Sequence, residues 1–477
     1  MRKSFILASG VALISALTPA ISSAKQLTTD DYKKAELQLS TNTSKLVTGT
    51  VDYPLWSENG SLVYRSHTGN GNQFFKIDVS SQKKTLAFDH RKLASSIARI
   101  TDSEVNHDEL PFYQVKFTAA NDIKISVKGK SYQCDLSNYL CAEDKLTKKR
   151  NENLSPDGKR AVFIRDHNLW LRDLSTDIES QLTTDGLKDF GYSTNNAGWI
   201  RRDSPVVTWS PDSKKLTTFK HDGRKVGDMG IVSTAVGHPK IDVWKYPLPG
   251  DEHIFTIHRV VIDVESKTVT PLDMKPDDHR STITDHVAGR GGELLDIDWA
   301  DDSKTFAFVS SSRDHKKATL KIADAKTGQV KVVMSETQKS FFESGVDGIS
   351  WKYLEKTNEA IWFSQRSNWG HLYLVDLATG KIKNQITKGD WTVIELLHVD
   401  QETGKLVFTG AGKEGSDPYY HYLYSVNKDG SDLTLLTPEK KHHRITLNNA
   451  GTHFLDRMAT PTNAEKSIVR AINNKKE

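Results

Sequence analysis

Short apolar runs alternate with polar turns along almost the whole chain, and the turns repeat. Ser155-Pro156-Asp157-Gly158-Lys159 leads into Ala161-Val162-Phe163-Ile164, then Leu169-Trp170-Leu171 ending on Asp173, then Gln181-Leu182-Thr183. Trp209-Ser210-Pro211-Asp212-Ser213-Lys214 and Trp299-Ala300-Asp301-Asp302-Ser303-Lys304 open the same cycle. Pro presets φ at the first corner, Asp bonds its own backbone, and Gly or a polar residue takes the left-handed position. The runs that follow are rich in branched and aromatic residues, which predicts strands. First-turn markers fall at Ser57, more weakly near Asn106, then at Ser155, Ser210, Ala300, Lys352, Asp400 and Asn448. Four short strands per step of about 50 residues is the period of a propeller blade. Eight cycles predict an all-β, eight-bladed β-propeller, with an insertion over residues 222–254 in the longest step. No blade can bury both its faces alone, so neighbours must stack around a channel. The recurring Trp56, Trp209, Trp299, Trp351 and Trp391 are expected between blades and not on a ligand.

The N-terminus has a different pattern. Arg2-Lys3, an apolar stretch from Phe5 to Leu17 and the small residues Ser22-Ser23-Ala24 form a secretory signal over 1–24. No Cys stands next to the apolar stretch, and no later run approaches the length of a membrane span. The mature protein is expected to be exported, periplasmic or secreted, without a transmembrane anchor. Residues 25–50 form a polar leader with a helix predicted from Asp30 to Leu39, and the propeller occupies 51–477.

The 477 residues carry a net charge of +4 with 26% charged side chains, so opposite charges nearly cancel and no basic face marks a nucleic-acid site. Export gives meaning to the only two cysteines. Cys134 and Cys141 are expected to form a disulfide stapling a hairpin. No further Cys or clustered His completes a metal site, and no cofactor is implied. His442-His443, whose side chains point apart on a strand, reads as ordinary surface.

Several stretches resemble the N-terminal β-propeller of the dipeptidyl peptidase IV family of serine peptidases. They are Arg366-Ser367-Asn368-Trp369-Gly370-His371-Leu372-Tyr373-Leu374, the following Gly389-Asp390-Trp391, His421-Tyr422-Leu423-Tyr424, Tyr246-Pro247-Leu248-Pro249-Gly250 and the leader Leu27 to Tyr32. In that family an α/β-hydrolase domain follows, with its nucleophile in a G-x-S-x-G elbow. The present sequence contains no G-x-S-x-G, so no catalytic residue is carried over and the chain is expected to be the propeller half, inactive alone.

The family also grips the substrate's amino terminus with a Glu pair on the propeller. The matching stretch, Asp189 to Asp203, contains no Glu. It offers Asn195 and Asn196, which carry no charge, and Arg201 and Arg202, which repel an ammonium. These four are the candidate substrate-binding residues, on a loop expected at the channel mouth, and the alternative is a polar inter-blade loop. The resemblance implies a substrate-gating, non-catalytic part of an exported peptidase, with a peptide substrate or a separately encoded hydrolase domain as partner. The competing reading is a free-standing periplasmic propeller that binds a protein or peptide. A propeller enzyme using its own carboxylates finds little support, since no acid pair stands out from the turn Asp residues.

Overall fold

A computed structural model describes residues 27–144, 149, 151–194, 204–279, 294, 296–342, 351–415 and 417–472. Eight small antiparallel sheets form a ring, an eight-bladed β-propeller. The blades span 52–86, 116–143, 153–181, 190–278, 297–337, 352–385, 392–435 and 442–471. Six are four-stranded meanders, blade 4 has six strands, and blade 8 has three. The first strands lie nearest the axis: those of blades 5 and 6 touch one another, whereas the fourth strand of blade 1, Lys83–Leu86, is wholly exposed.

Buried side chains cluster between blades. Val162 and Leu169 of blade 3 pack on Leu216 and Ile262 of blade 4, and Leu320 of blade 5 shares a core with Trp362 and Val375 of blade 6. Trp209 Nε1 donates to Asn153 Oδ1 of blade 3 at 3.1 Å, and Trp56, Trp209, Trp299 and Trp391 are all buried. The ring closes where Val51, Trp56 and Leu62 pack on Leu455 of blade 8. The repeated turns also link to one another. Asp157 N–H donates to Ser213 Oγ of the next turn at 3.1 Å, and Asp212 N–H to Ser303 Oγ of the turn after that, also at 3.1 Å.

Three departures from the sequence reading stand out, while the insertion agrees with it. A helix stands between blades 1 and 2: α3, His90–Thr101, is capped by Asp89 and buries Leu93, Ala94 and Ile97 in the core those blades share. The first turn of blade 2 is therefore at Thr118 to Asp122, and the marker near Asn106 belongs to a turn beyond α3. The marker at Lys352 falls on a strand, Lys352–Leu354, with the turn just after it. The leader folds as two helices, α1 (Thr29–Leu37) and α2 (Ser40–Thr43), with Thr28 and Asp31 forming a capping box. The insertion is a two-stranded ribbon, Asp228–Val232 paired with Ile241–Lys245.

Candidate functional site

An antiparallel meander sorts its connections. Turns between strands 1 and 2, and between 3 and 4, fall on one face of the ring, here the turn face. Hairpins between strands 2 and 3, and the crossings between blades, fall on the opposite loop face. The linked Ser-Asp turns occupy the turn face. The loop face receives the insertion ribbon, the Arg366–Gly370 hairpin and the strand leading to the candidate loop. Among the described residues of the blades, the exposed aromatics Tyr53, Tyr113, Phe341, Trp369 and Tyr419 all lie in loop-face connections or strand ends.

Phe190–Tyr192 enters the candidate loop paired with Lys215–Asp222, Phe190 opposite Asp222 and Tyr192 opposite Lys220. Lys220 Nζ lies 4.1 Å and the Arg224 guanidinium 3.9 Å from the centre of the Phe190 ring, and His258 meets that ring edge-on at 5.4 Å. Both cations are held by carboxylates: Lys220 by Asp185 at 2.6 Å, and Arg224 by both oxygens of Asp222 at 2.9 and 2.7 Å. Burial and the bonded Asp185 carboxylate push the Tyr192 hydroxyl far above its usual range, so it stays a donor to Asp185 at 2.7 Å. The ends of the loop are pinned together. Val206 N–H donates to Ser193 O at 2.8 Å, and Ser193 Oγ meets Thr218 Oγ1 at 2.7 Å, which itself donates to Val206 O at 2.8 Å. Asn195, Asn196, Arg201 and Arg202 lie outside the described residues.

The Arg366 hairpin is built with equal care for its base. Glu336, buried, accepts from Trp362 Nε1 at 2.8 Å, Ser364 Oγ at 2.5 Å and Arg366 Nη2 at 2.5 Å, and the Arg366 guanidinium stacks 5.0 Å over Tyr373. Gly370 leaves no room for a side chain, since a Cβ there would come within 2.5 Å of the Phe363 ring. His371 is buried, its nitrogens facing Thr387 Oγ1 at 3.0 Å and Gly389 O at 2.9 Å. Of the motif's ring side chains, only Trp369 is exposed.

A model of the dipeptidyl peptidase IV N-terminal region matches residues 107–464. The chain belongs to that family. Proteins described as dipeptidyl-aminopeptidase B are similar to it: one from Neosartorya fischeri is 24% identical over 60% of this chain, and one from Talaromyces marneffei 26% over 60%. The chain spans about a third of these relatives, 32% and 33% of their lengths. Among solved structures, a Porphyromonas gingivalis dipeptidyl peptidase 4 superposes with TM-score 0.63 at 16% identity, covering 91% of this chain and 60% of its own. A Bacteroides ovatus protein described as a dipeptidyl aminopeptidase IV gives 0.66 at 17%, covering 89% and 58%. At these identities the structural likeness speaks for the fold alone. No helix among the described residues is long and apolar enough to cross a membrane.

In this dipeptidyl peptidase IV N-terminal region, Cys134 and Cys141 are disulfide-bonded, directly opposite each other on adjacent strands. The surface reading of His443 is corrected. His443 is fully buried, with Nδ1 at 2.8 Å from Asp456 Oδ1 and Nε2 at 2.9 Å from Glu439 O, because alternation on its strand turns it inward while His442 stays half-buried. Glu439, His443 and Asp456 are close enough together to hold a metal ion. Both imidazole nitrogens already face oxygens, however, and Arg470 sits on Glu439 at 2.6 Å and Asp456 at 3.3 Å, so a cation already occupies the position a metal would take. The cluster acts as an ion-pair network within blade 8. The sequence reading missed it because its members are separated by 31 positions at the widest.

Proposed function

We propose that this propeller admits and positions peptides for a dipeptidyl-peptidase-IV-like serine peptidase, with a catalytic α/β-hydrolase domain docked on its loop face and the whole exported. The single observation that carries the reading is that the exposed aromatic side chains of the blades, Tyr53, Tyr113, Phe341, Trp369 and Tyr419, all lie on the loop face. Exposed aromatics confined to one face, Tyr53 and Tyr113 with ring centres 5.6 Å apart, favour a macromolecular partner over open solvent. Membership of a peptidase family's propeller region supports the peptide, and the secretory pattern with a bonded cysteine pair supports export. The absence of Glu from 189–203 supports a gate that does not count residues from a free amine.

The same aromatics favour a second reading, a free-standing peptide- or protein-binding propeller. Calorimetry with one peptide in free-amine and N-acetylated forms tests the gate: the two forms bind alike, and R201E/R202E changes the preference toward the free amine. A strong wild-type preference for the free amine would overturn the loop assignment, and no binding of either form would remove the gate. Faster Xaa-Pro cleavage when the chain is added to a separately supplied hydrolase domain favours the first reading over the second.

A further inference from the structure

The first strand of blade 7, Thr392–Val399, carries a β-bulge. Val393 pairs with Gly410 and Glu395 with Thr409, which leaves Ile394 as the extra residue. A regular strand would send Ile394 and Glu395 to opposite faces of the blade. Here both are exposed, while Val393 before them and Phe408, Thr409 and Gly410 on the partner strand are buried. Gly410 lets the bulged strand come close, since a Cβ there would lie 3.0 Å from the Trp391 ring and 3.2 Å from the Thr392 carbonyl oxygen.

The faces of blade 7 are covered on both sides. Val393 and Leu396 pack in the core shared with blade 6, and Leu397 packs in the core shared with blade 8. First strands lie nearest the axis, so an exposed side chain midway along this one opens only onto the channel.

Glu395 stands there without a counter-charge. It makes no hydrogen bond or ion pair among the described residues, and burial alone pushes its carboxyl above the ordinary value. A group that water reaches, yet that protein crowds enough to disfavour its charge, lies in a confined solvent-filled space. The cations on the first strands of the flanking blades are already taken. Lys352 of blade 6 is held by Asp298 at 2.8 Å, and Arg444 of blade 8 by Glu465. An unpaired carboxylate in such a space draws cations more strongly than one on an open surface.

We propose that Glu395 is a subsite for the lysine or arginine side chain of a peptide lying in the channel. The ammonium or guanidinium donates to the carboxylate, and its alkyl stem finds Ile394, 39% exposed on the same bulge. The peptide rests on the function proposed above, whereas the demand for a cation rests on the bulge and its unpaired carboxylate.

The probes are two N-acetylated, C-amidated peptides that differ only in lysine or norleucine at one position. Each is titrated into the purified chain by calorimetry, beside a norleucine peptide with a free amino terminus. The lysine peptide binds about tenfold more tightly than either norleucine form, as one charge-assisted hydrogen bond requires. Glu395→Gln, a near-isosteric change on an exposed side chain, brings all three to equal affinity, and Glu395→Lys places the lysine peptide last. Equal wild-type binding of the two capped peptides, or a lysine preference that survives Glu395→Gln, overturns the subsite and leaves the gate standing. A free-amine norleucine peptide that matches the lysine peptide also overturns it, because the cation would then be the chain terminus. Binding of none of the three overturns both the subsite and the gate.

Discussion

Trp56 Nε1 donates to the carbonyl of Thr446 at 3.0 Å across 390 positions of chain, tying the first blade to the last. Both groups lie in a seam where Leu62, Tyr64 and Leu455 are buried. Closing the ring leaves no blade face uncovered, so this bond and its apolar surroundings bury the faces of blades 1 and 8 that an open array would expose. Trp56→Phe keeps most of the packing and leaves the carbonyl without its donor. The expected loss is about 1–2 kcal/mol, read from the urea midpoint, and an unchanged midpoint would show that the bond does not hold the seam.

Reduction of Cys134–Cys141 frees a short closed loop in the unfolded chain. A separation of 7 positions predicts a stability loss of about 2 kcal/mol. Unfolding of oxidised protein against the C134S/C141S double variant measures it. Two free thiols in denatured, unreduced protein would contradict the pairing.

Asp456 faces His443 and Arg470 with no exposure at all. Asp456→Ala strands the buried His443 imidazole and leaves partly exposed Arg470 with Glu439 alone, so the expected cost is about 1–3 kcal/mol. Blade 8 amides should lose protection from hydrogen exchange first. A change under about 1 kcal/mol would show that the network is bypassed by water.

Stability should fall on mild acidification. Burial pushes the imidazoles of His90 and His371 below their ordinary value, and His90 Nε2 accepts from Phe74 N–H at 2.8 Å, which a protonated ring cannot do. A depressed folded-state pKa means that the unfolded chain binds the proton more readily. The stabilisation is therefore complete above about pH 6.5 and is lost as pH falls through the folded values. His90→Gln, which still accepts but does not titrate here, should flatten the unfolding midpoint between pH 7.5 and 5.5. Glu359 acts in a separate window. Burial opposes its charge, but Lys383 and Lys428 hold it down at about 2, so its contribution is present above its ordinary 4.5 and lost only in strong acid.

Some features were legible because they are local. The Ser155 to Lys159 turn, the Asn448 turn and the strands they open follow from φ preferences and short-range bonding, which a linear pattern carries in full. The disulfide was legible for the same reason, its partners being 7 positions apart on neighbouring strands. Helix α3 was also written in the chain, in Asp89 and the spacing of Leu93, Ala94, Ile97 and Ile100, but the repeat on either side masked its period.

The sequence by itself determined the number of blades through the period of its turns, even though the markers near Asn106 and Lys352 fell off the first turns of blades 2 and 6, and it determined the lack of a Glu between 189 and 203. Only the tertiary structure decided that Thr446 would receive Trp56, that His443 would be buried on Asp456, and that Phe190 would lie against Lys220 and Arg224. Those relationships join residues from different strands and different blades. The first exists only once the ring has closed, because closure brings blade 8 against blade 1, and the other two exist only once the strands of blades 8 and 4 have paired, because pairing fixes which side chains share a face.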